Sequence, residues 1–256
     1  MTRPVRRVVV VGRDSAAWLA ALGLRRALGR AGVHVTLVEL DPLLRPVDAF
    51  SAVPSLGGLL RQLGLEQSEV LARCSGVPVL GQRFANWSRG APPFIHAYDV
   101  HRPALENVEF FQYWIKARSA GLRVAWEDFS VAASAAKQGR VAPKAVDPDS
   151  LSALGHGYHL DARAFVALLA ERALRLGVEH QRGRTVRVER DGDWISSVLV
   201  DDGRRIDGDL FVDASGAEAL LLGTQPGAGF EDWSRWLPCD RLLATSGPAL
   251  GALPSF

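Results

Sequence analysis

The opening of the chain constrains its fold most. Val8, Val9, Val10 and Val11 form a β-branched run without polar alternation, the composition of a parallel strand covered on both faces. Gly12 ends the run. From Ser15 to about Gly29 the sequence turns to Ala, Leu and Arg, which favour a helix. Trp18, Leu19, Leu22, Leu24 and Leu28 cluster on one side of it, leaving Arg25, Arg26 and Arg30 for solvent. Gly29 and Gly32 bracket the helix end, and Val33 to Val38 reads as a second strand ending at Glu39. Strand, glycine turn, helix and strand make a βαβ unit, whose parallel strands need a right-handed crossover.

Such a unit carries its own chemistry. The helix N-terminus presents unpaired N–H groups and partial positive charge to the turn after the first strand, where a pyrophosphate can bind. An acid closing the second strand can accept hydrogen bonds from a ribose, and Glu39 follows Ala17 by 22 positions, close to the ~20 expected for that role. The turn reads Gly12-Arg13-Asp14-Ser15-Ala16-Ala17 in place of GxGxxG. Ala17 is an accepted substitute for the third glycine, which serves helix packing. Asp14, by contrast, replaces the glycine that lets backbone approach the phosphates, and it adds a like charge. At ~5 Å and an effective dielectric near 20, each such pair costs about 3 kcal/mol. Arg13 offsets part of this if it pairs with Asp14 or with a phosphate.

Composition narrows the class. In 256 residues, 48% are hydrophobic and 23% charged, enough apolar side chain for one large domain or two small ones. With 30 basic against 28 acidic residues, there is no electrostatic footprint for nucleic acid. The basic stretch Thr2 to Arg7 before Val8 imitates the start of a signal peptide, but Arg13 and Asp14 end the apolar run. No segment reaches the ~18 to 20 apolar residues of a membrane helix. Cys74 and Cys239 form neither a CxxC pair nor a disulfide framework, so both read as packed small residues in a reduced, cytoplasmic protein.

Further along, Ser55 to Leu63 reads as a helix before Gly64. An aromatic stretch follows with Phe94, His96, Tyr98, Phe110, Phe111, Tyr113 and Trp114, a density that points first to core and second to a ligand wall. Ser130 to Asp149 reads as an exposed loop or short helical excursion. Asp161 caps a helix from about Ala162 to Leu176 with Phe165, Leu168, Leu169, Ala173 and Leu176 as its buried stripe. Strands are expected at Gly183 to Arg190, Trp194 to Val200 and Arg205 to Gly208. Leu210 to Gly216 reads as a buried strand beside the first, presenting backbone to the same nucleotide. His156 and His159 lack a third ligand with suitable spacing, so no metal site is expected and a solvated or capping role is. Asp99 and His101 are an isolated acid/base pair with no nucleophile motif.

The segments VVVVGRDSAAWLAAL, VTLVELDP, PSLGGLLRQLGL, LGQRFANW, GYHLDARAFVALLAERA, DDGRRIDGDLFVDASG, ALLLG and DWSRWLPCDR, in that order, resemble the flavin-dependent tryptophan halogenase family. The resemblance implies an α/β, Rossmann-like FAD-binding fold with inserted substrate-domain segments and its C-terminal part missing. Nucleotide-binding segments would lie at about 5–55 and 155–225, with substrate-type segments at 56–154. It implies that Gly12, Arg13, Asp14, Ser15, Ala16 and Ala17 meet the FAD pyrophosphate and Glu39 the adenosine ribose. Val186 would meet the adenine region, and Ala214, Ser215 and Gly216 would line the flavin side. It also implies a separate reductase that supplies reduced FAD, and a small aromatic substrate that is halogenated or oxygenated.

The correspondence breaks at the family's chemistry. Its KLGxRFxNW motif aligns with Val79 to Trp87, so Val79 holds the position of the active-site lysine, and no catalytic residue can be carried over. Its GEATIP loop aligns with Ala49 to Pro54 and retains little beyond Pro54, while WxWxIP is absent. The alternative is therefore a non-catalytic, truncated relative acting as a structural or partner-binding remnant, with exposed apolar surface near its C-terminus.

Overall fold

A computed structural model describes residues 4–87, 89–90, 92–99, 107–140, 155–248 and 256. The chain divides into two compact units, Met1–Asp48 with Asp161–Ser246, and Ala49–Leu160 with Gly247–Phe256.

The first unit contains the expected βαβ element. Strand β1 (Arg7–Gly12) runs into helix α1 (Asp14–Leu28), which returns to strand β2 (His34–Glu39). Val8 to Val11 are fully buried, as an uninterrupted β-branched run between two parallel neighbours requires. Those neighbours are β2 on one side and β12 (Leu210–Ala214) on the other. A short strand, β8 (Glu179–Arg182), extends the parallel sheet to the order β12-β1-β2-β8. The fold class is α/β, as read from the sequence.

Helix α6 (Ala162–Arg175) packs on α1. Its cap is the predicted one: the Asp161 carboxylate accepts from the Ala164 N–H at 2.8 Å. Its buried stripe includes Phe165, Leu168, Leu169 and Ala173, but Leu176 lies beyond the last turn and is exposed. Of the predicted α1 stripe, Trp18 and Leu22 are buried, joined by Ala17 and Ala21. Arg25 is not left to solvent. Its guanidinium donates to the carbonyl oxygens of Leu176 at 2.8 Å and Val33 at 3.1 Å, tying α1 to the ends of its neighbours.

An antiparallel sheet of β9 (Val186–Asp191), β10 (Trp194–Val200) and β11 (Arg205–Asp207) completes this unit, with β10 central. Its inner residues Val198 and Val200 pack with Val9, Val11, Val38 and Leu40. The strand expected over Gly183 to Arg190 begins only at Val186, after a break in which the Gly183 N–H, just past β8, still donates to the Glu39 carbonyl at 3.0 Å. The Gly183 side of that break has no room for a Cβ against the Val200 side chain.

The second unit holds helices α2 (Ser55–Leu63), α3 (Gln67–Arg73), α4 (Phe110–Ser119) and α5 (Val131–Lys137). Strands β3 (Ala49–Ala52), β7 (Gly157–Asp161) and β4 (Val77–Val79) form one sheet, and β5 (Gly81–Phe84) pairs with β6 (Phe94–Ala97). The segment expected to be an exposed excursion is partly core. In α5, Ala132, Ala133 and Ala136 are buried against Leu80, Ile95 and Ala97, small side chains allowing the helix to approach the hairpin. Residues 141–149 of that expectation lie outside the described residues. Asp99 braces the start of this helix, whose cap is Ser130: it accepts from Ser130 Oγ–H at 2.6 Å and the Ala132 N–H at 3.1 Å. His101 lies outside the described residues.

Three further readings are corrected. His156 is buried and hydrogen-bonded to Gln67 at 2.6 Å, so it is neither solvated nor a cap. Cys239 is exposed, whereas Cys74 is packed as expected. Helix α4 buries none of its residues, so Phe111 and Tyr113 are surface aromatics rather than core. No helix among the described residues is long and apolar enough to cross a membrane. No cluster of three potential metal ligands occurs among them either.

Candidate functional site

The strand register of the first unit brings the predicted residues into one row. Gly12 pairs with Ala214 on one side and Glu39 on the other, and Glu39 pairs with Arg182. The row therefore runs Ala214, Gly12, Glu39, Arg182 along the carboxyl ends of four parallel strands, the edge where α/β sheets bind ligands. Gly12 is required by packing. A Cβ there would collide with the Ala214 carbonyl.

At the turn, Arg13 occupies the cap position of α1 and offers no side-chain acceptor to the helix N-terminus. Its guanidinium instead reaches Glu218, 2.9 Å away, so it pairs with neither Asp14 nor the helix. Asp14 takes a left-handed backbone, φ 55°, the conformation that favours glycine at this place and that Asp tolerates better than most residues. Its Oδ2 accepts from the Leu43 N–H at 3.1 Å. Arg13 Nε and Asp14 Oδ1 are buried and find no partner among the described residues. Ser15 and Ala16 follow in the first turn, and Ala17 is buried where the third glycine would sit.

Glu39 is held from two elements. Trp18 Nε1–H on α1 donates to Oε1 at 2.9 Å, while His180 Nε2 on β8 lies 2.8 Å from Oε2. Arg182 Nε is 3.7 Å from the same oxygen. Glu39 also lines a cleft of about 460 Å³ with Asp41, Arg182, Gly183, Arg184 and Asp201. Val186 is not among the residues lining that cleft; it packs against the apolar cluster of Val198 and Val200.

The strand end at Ala214 is fixed by a residue the sequence reading passed over. Asp213 accepts from Ser215 Oγ–H at 2.6 Å and from the N–H groups of Ser215, Leu221 and Leu222 at 3.0, 2.8 and 2.9 Å. Burial pushes its carboxyl up, but the donors of Ser215, Leu222 and Leu221 outweigh this and hold it below the usual carboxylate range. The result is a closed loop that places Ser215 inside and Gly216, φ 82°, at an open position.

In the second unit, a cup of about 380 Å³ is lined by Ser51, Ala52, Val53, Gln82, Tyr98 and His159. Burial raises the Tyr98 phenol above its ordinary pKa. Val79 is 2% exposed, and its Cγ2 crowds the space over Gly157. A larger cavity of about 720 Å³ lies beside α4, walled by Phe94, Phe111, Trp114 and Trp126.

The tryptophan halogenase profile matches residues 7–256. The chain belongs to the tryptophan halogenase family. The tryptophan 7-halogenase KtzQ of Kutzneria sp. (strain 744) is 28% identical over 261 residues, covering 95% of this chain and 48% of that enzyme. Among solved structures, Xcc4156, a flavin-dependent halogenase from Xanthomonas campestris, superposes with a TM-score of 0.80 at 34% identity over 92% of this chain and 47% of that one. BrvH, a flavin-dependent halogenase from Brevundimonas sp. BAL3, gives 0.78 at 32% identity with the same coverages. The chain thus spans about half the length of the relatives it matches.

Within the family frame, Trp18, His180, Arg182 and Asp213 are the additions the structure makes. Trp18 was legible only as an apolar residue of the α1 stripe. His180 and Arg182 sit in a four-residue strand without β-branched residues, which gave no local strand signal.

Proposed function

We propose that the first unit binds FAD and that the chain is the flavin-binding portion of a flavin-dependent oxidising enzyme of the halogenase type. The observation that carries this reading is the row Ala214, Gly12, Glu39, Arg182 at the carboxyl edge, with the α1 N-terminus beside it. The residues fit a dinucleotide in two respects: Glu39 opens on a cleft of nucleoside size, and the helix start has no side-chain cap. The unpartnered Arg13 Nε adds a donor at the turn.

In this reading, Gly12 to Ala17 hold the pyrophosphate, Glu39 the adenosine ribose, Val186 the adenine surroundings, and Ala214 to Gly216 the flavin side. FAD, reduced by a separate reductase, supplies the oxygen-activating chemistry. This chain's own residues bind and orient it. The substrate is a small aromatic molecule, as for the tryptophan halogenases it resembles. Val79 has no amine to hold an oxidised halogen, so the oxidation of the substrate does not run through the lysine of the family motif.

Titrating the protein with FAD while following flavin fluorescence tests the reading. Saturable binding is expected at or below the micromolar range. No saturation up to millimolar FAD would leave the alternative, a non-catalytic relative, in its place.

A further inference from the structure

We infer that His180 and Trp18 act as a clamp that sets the Glu39 carboxylate for the two hydroxyls of a ribose, making His180 a positioning residue of the nucleotide site. The inference rests on the nucleotide-binding reading of the first unit. An ionised carboxylate only accepts, so the His180 Nε2 that lies 2.8 Å from Glu39 Oε2 carries the hydrogen and donates. Trp18 Nε1–H donates to the other oxygen at 2.9 Å. Donors from a helix and a strand thus grip both oxygens, which removes rotation about the terminal bond of Glu39. The Trp18 and His180 rings lie 5.0 Å apart, so each donor braces the other.

The grip leaves capacity for a ligand. A carboxylate has about four acceptor positions, and Trp18 and His180 use two. Arg182 Nε at 3.7 Å is too distant for a hydrogen bond and contributes charge alone. The Glu39 side chain keeps 21% exposure and faces the cleft. Of the other carboxylates there, Asp201 accepts from the Arg184 N–H at 2.8 Å and Asp202 pairs with Arg204 at 2.6 Å, while Asp41 is exposed in the loop after β2, beyond the strand that holds Glu39. Glu39 is therefore the acceptor at the end of β2 held in one orientation, as recognition of a rigid cis-diol requires.

Calorimetric titration of the 256-residue chain with ADP and with 2′,3′-dideoxy-ADP tests this. The wild type should prefer ADP about 10- to 100-fold, the range for one or two hydrogen bonds to a charged acceptor. His180→Leu should reduce that preference to within about threefold, chiefly by weakening ADP. His180→Gln, which restores an N–H donor, should recover most of it, and Trp18→Phe should lose it while keeping an aromatic ring. If His180→Leu does not fold, the Trp18→Phe and His180→Gln pair carries the same comparison. A wild type that binds neither FAD nor ADP would overturn the nucleotide reading itself. A wild type that binds both nucleotides equally, or a His180→Leu variant that keeps its preference or loses affinity for both alike, would overturn the clamp alone.

Discussion

Asp14 Oδ2 accepts a 3.1 Å hydrogen bond from the Leu43 N–H, so the residue that stands in place of a glycine in the proposed nucleotide turn also anchors the loop after β2. Charge and anchoring can be separated by substitution. Asp14→Asn keeps an oxygen for Leu43 and tolerates the left-handed backbone, but removes the negative charge. FAD affinity should rise about tenfold at low ionic strength, and the gain should shrink as salt screens the charge. Asp14→Gly removes charge and backbone strain together and should tighten binding by one to two decades at most. Fluorescence titration at two salt concentrations measures both. Equal affinities throughout would mean that the carboxylate lies outside the field of the bound phosphates.

Gly12 faces the opposite constraint. Any side chain there meets the Ala214 carbonyl across the β1–β12 pair, and backbone cannot yield as a flexible side chain can. Gly12→Ala should therefore destabilise the protein by about 1–3 kcal/mol through overpacking. Urea unfolding should show the lowered midpoint, with FAD binding weakened as the strand ends part. A midpoint within error of wild type would show that the two strands separate freely.

These two positions show what was legible from sequence and why. The valine run, Gly12, the α1 boundaries and Glu39 all follow local rules of period and turn chemistry, so β1, α1 and β2 emerge where expected. Asp14 was legible as a departure, but its partner Leu43 lies 29 positions away and no local rule names it. His180 acquires meaning only because β8 pairs with β2 across 141 residues of sequence. The short helical excursion expected after Ser130 is present as α5, but its expected exposure is overturned for a related reason. Alanines carry little burial signal alone, yet Ala132 and Ala133 are buried because the β5–β6 hairpin supplies the other wall.

Asp213 should govern acid stability near this site. Its folded pKa lies below the ordinary value, so its stabilising contribution is full above the unfolded pKa of about 3.9 and is lost as pH falls through the folded value. Thermal melts between pH 6 and pH 2 should therefore fall more steeply for wild type than for Asp213→Asn, which has no such charge to lose. At neutral pH, Asp213→Asn should cost about 2–4 kcal/mol, because an amide presents N–H groups where a carboxylate oxygen accepts from Ser215 or from Leu221 and Leu222. A neutral-pH stability equal to wild type would mean that the loop from Ser215 to Leu222 is held by other contacts.

Val79 tests whether the lysine of the family motif can be restored by one substitution. Val79 is 2% exposed in β4, beside a Gly157 whose own position is crowded by Ala52, Tyr98 and Val79. Val79→Lys places four methylenes and an ammonium in that space, and the longer chain must displace neighbours or bury its charge. The expected outcome is a loss of about 2–4 kcal/mol in stability, read by denaturant unfolding. No halide-dependent modification of free tryptophan should appear when reduced FAD and oxygen are supplied, with product analysis by mass spectrometry. Val79→Met, of similar length without charge, separates crowding from desolvation: it should cost less than half as much as Val79→Lys if the buried ammonium dominates. Chlorinated or brominated tryptophan from Val79→Lys would instead show that the cup beside Tyr98 and His159 already holds the rest of the halogenating apparatus.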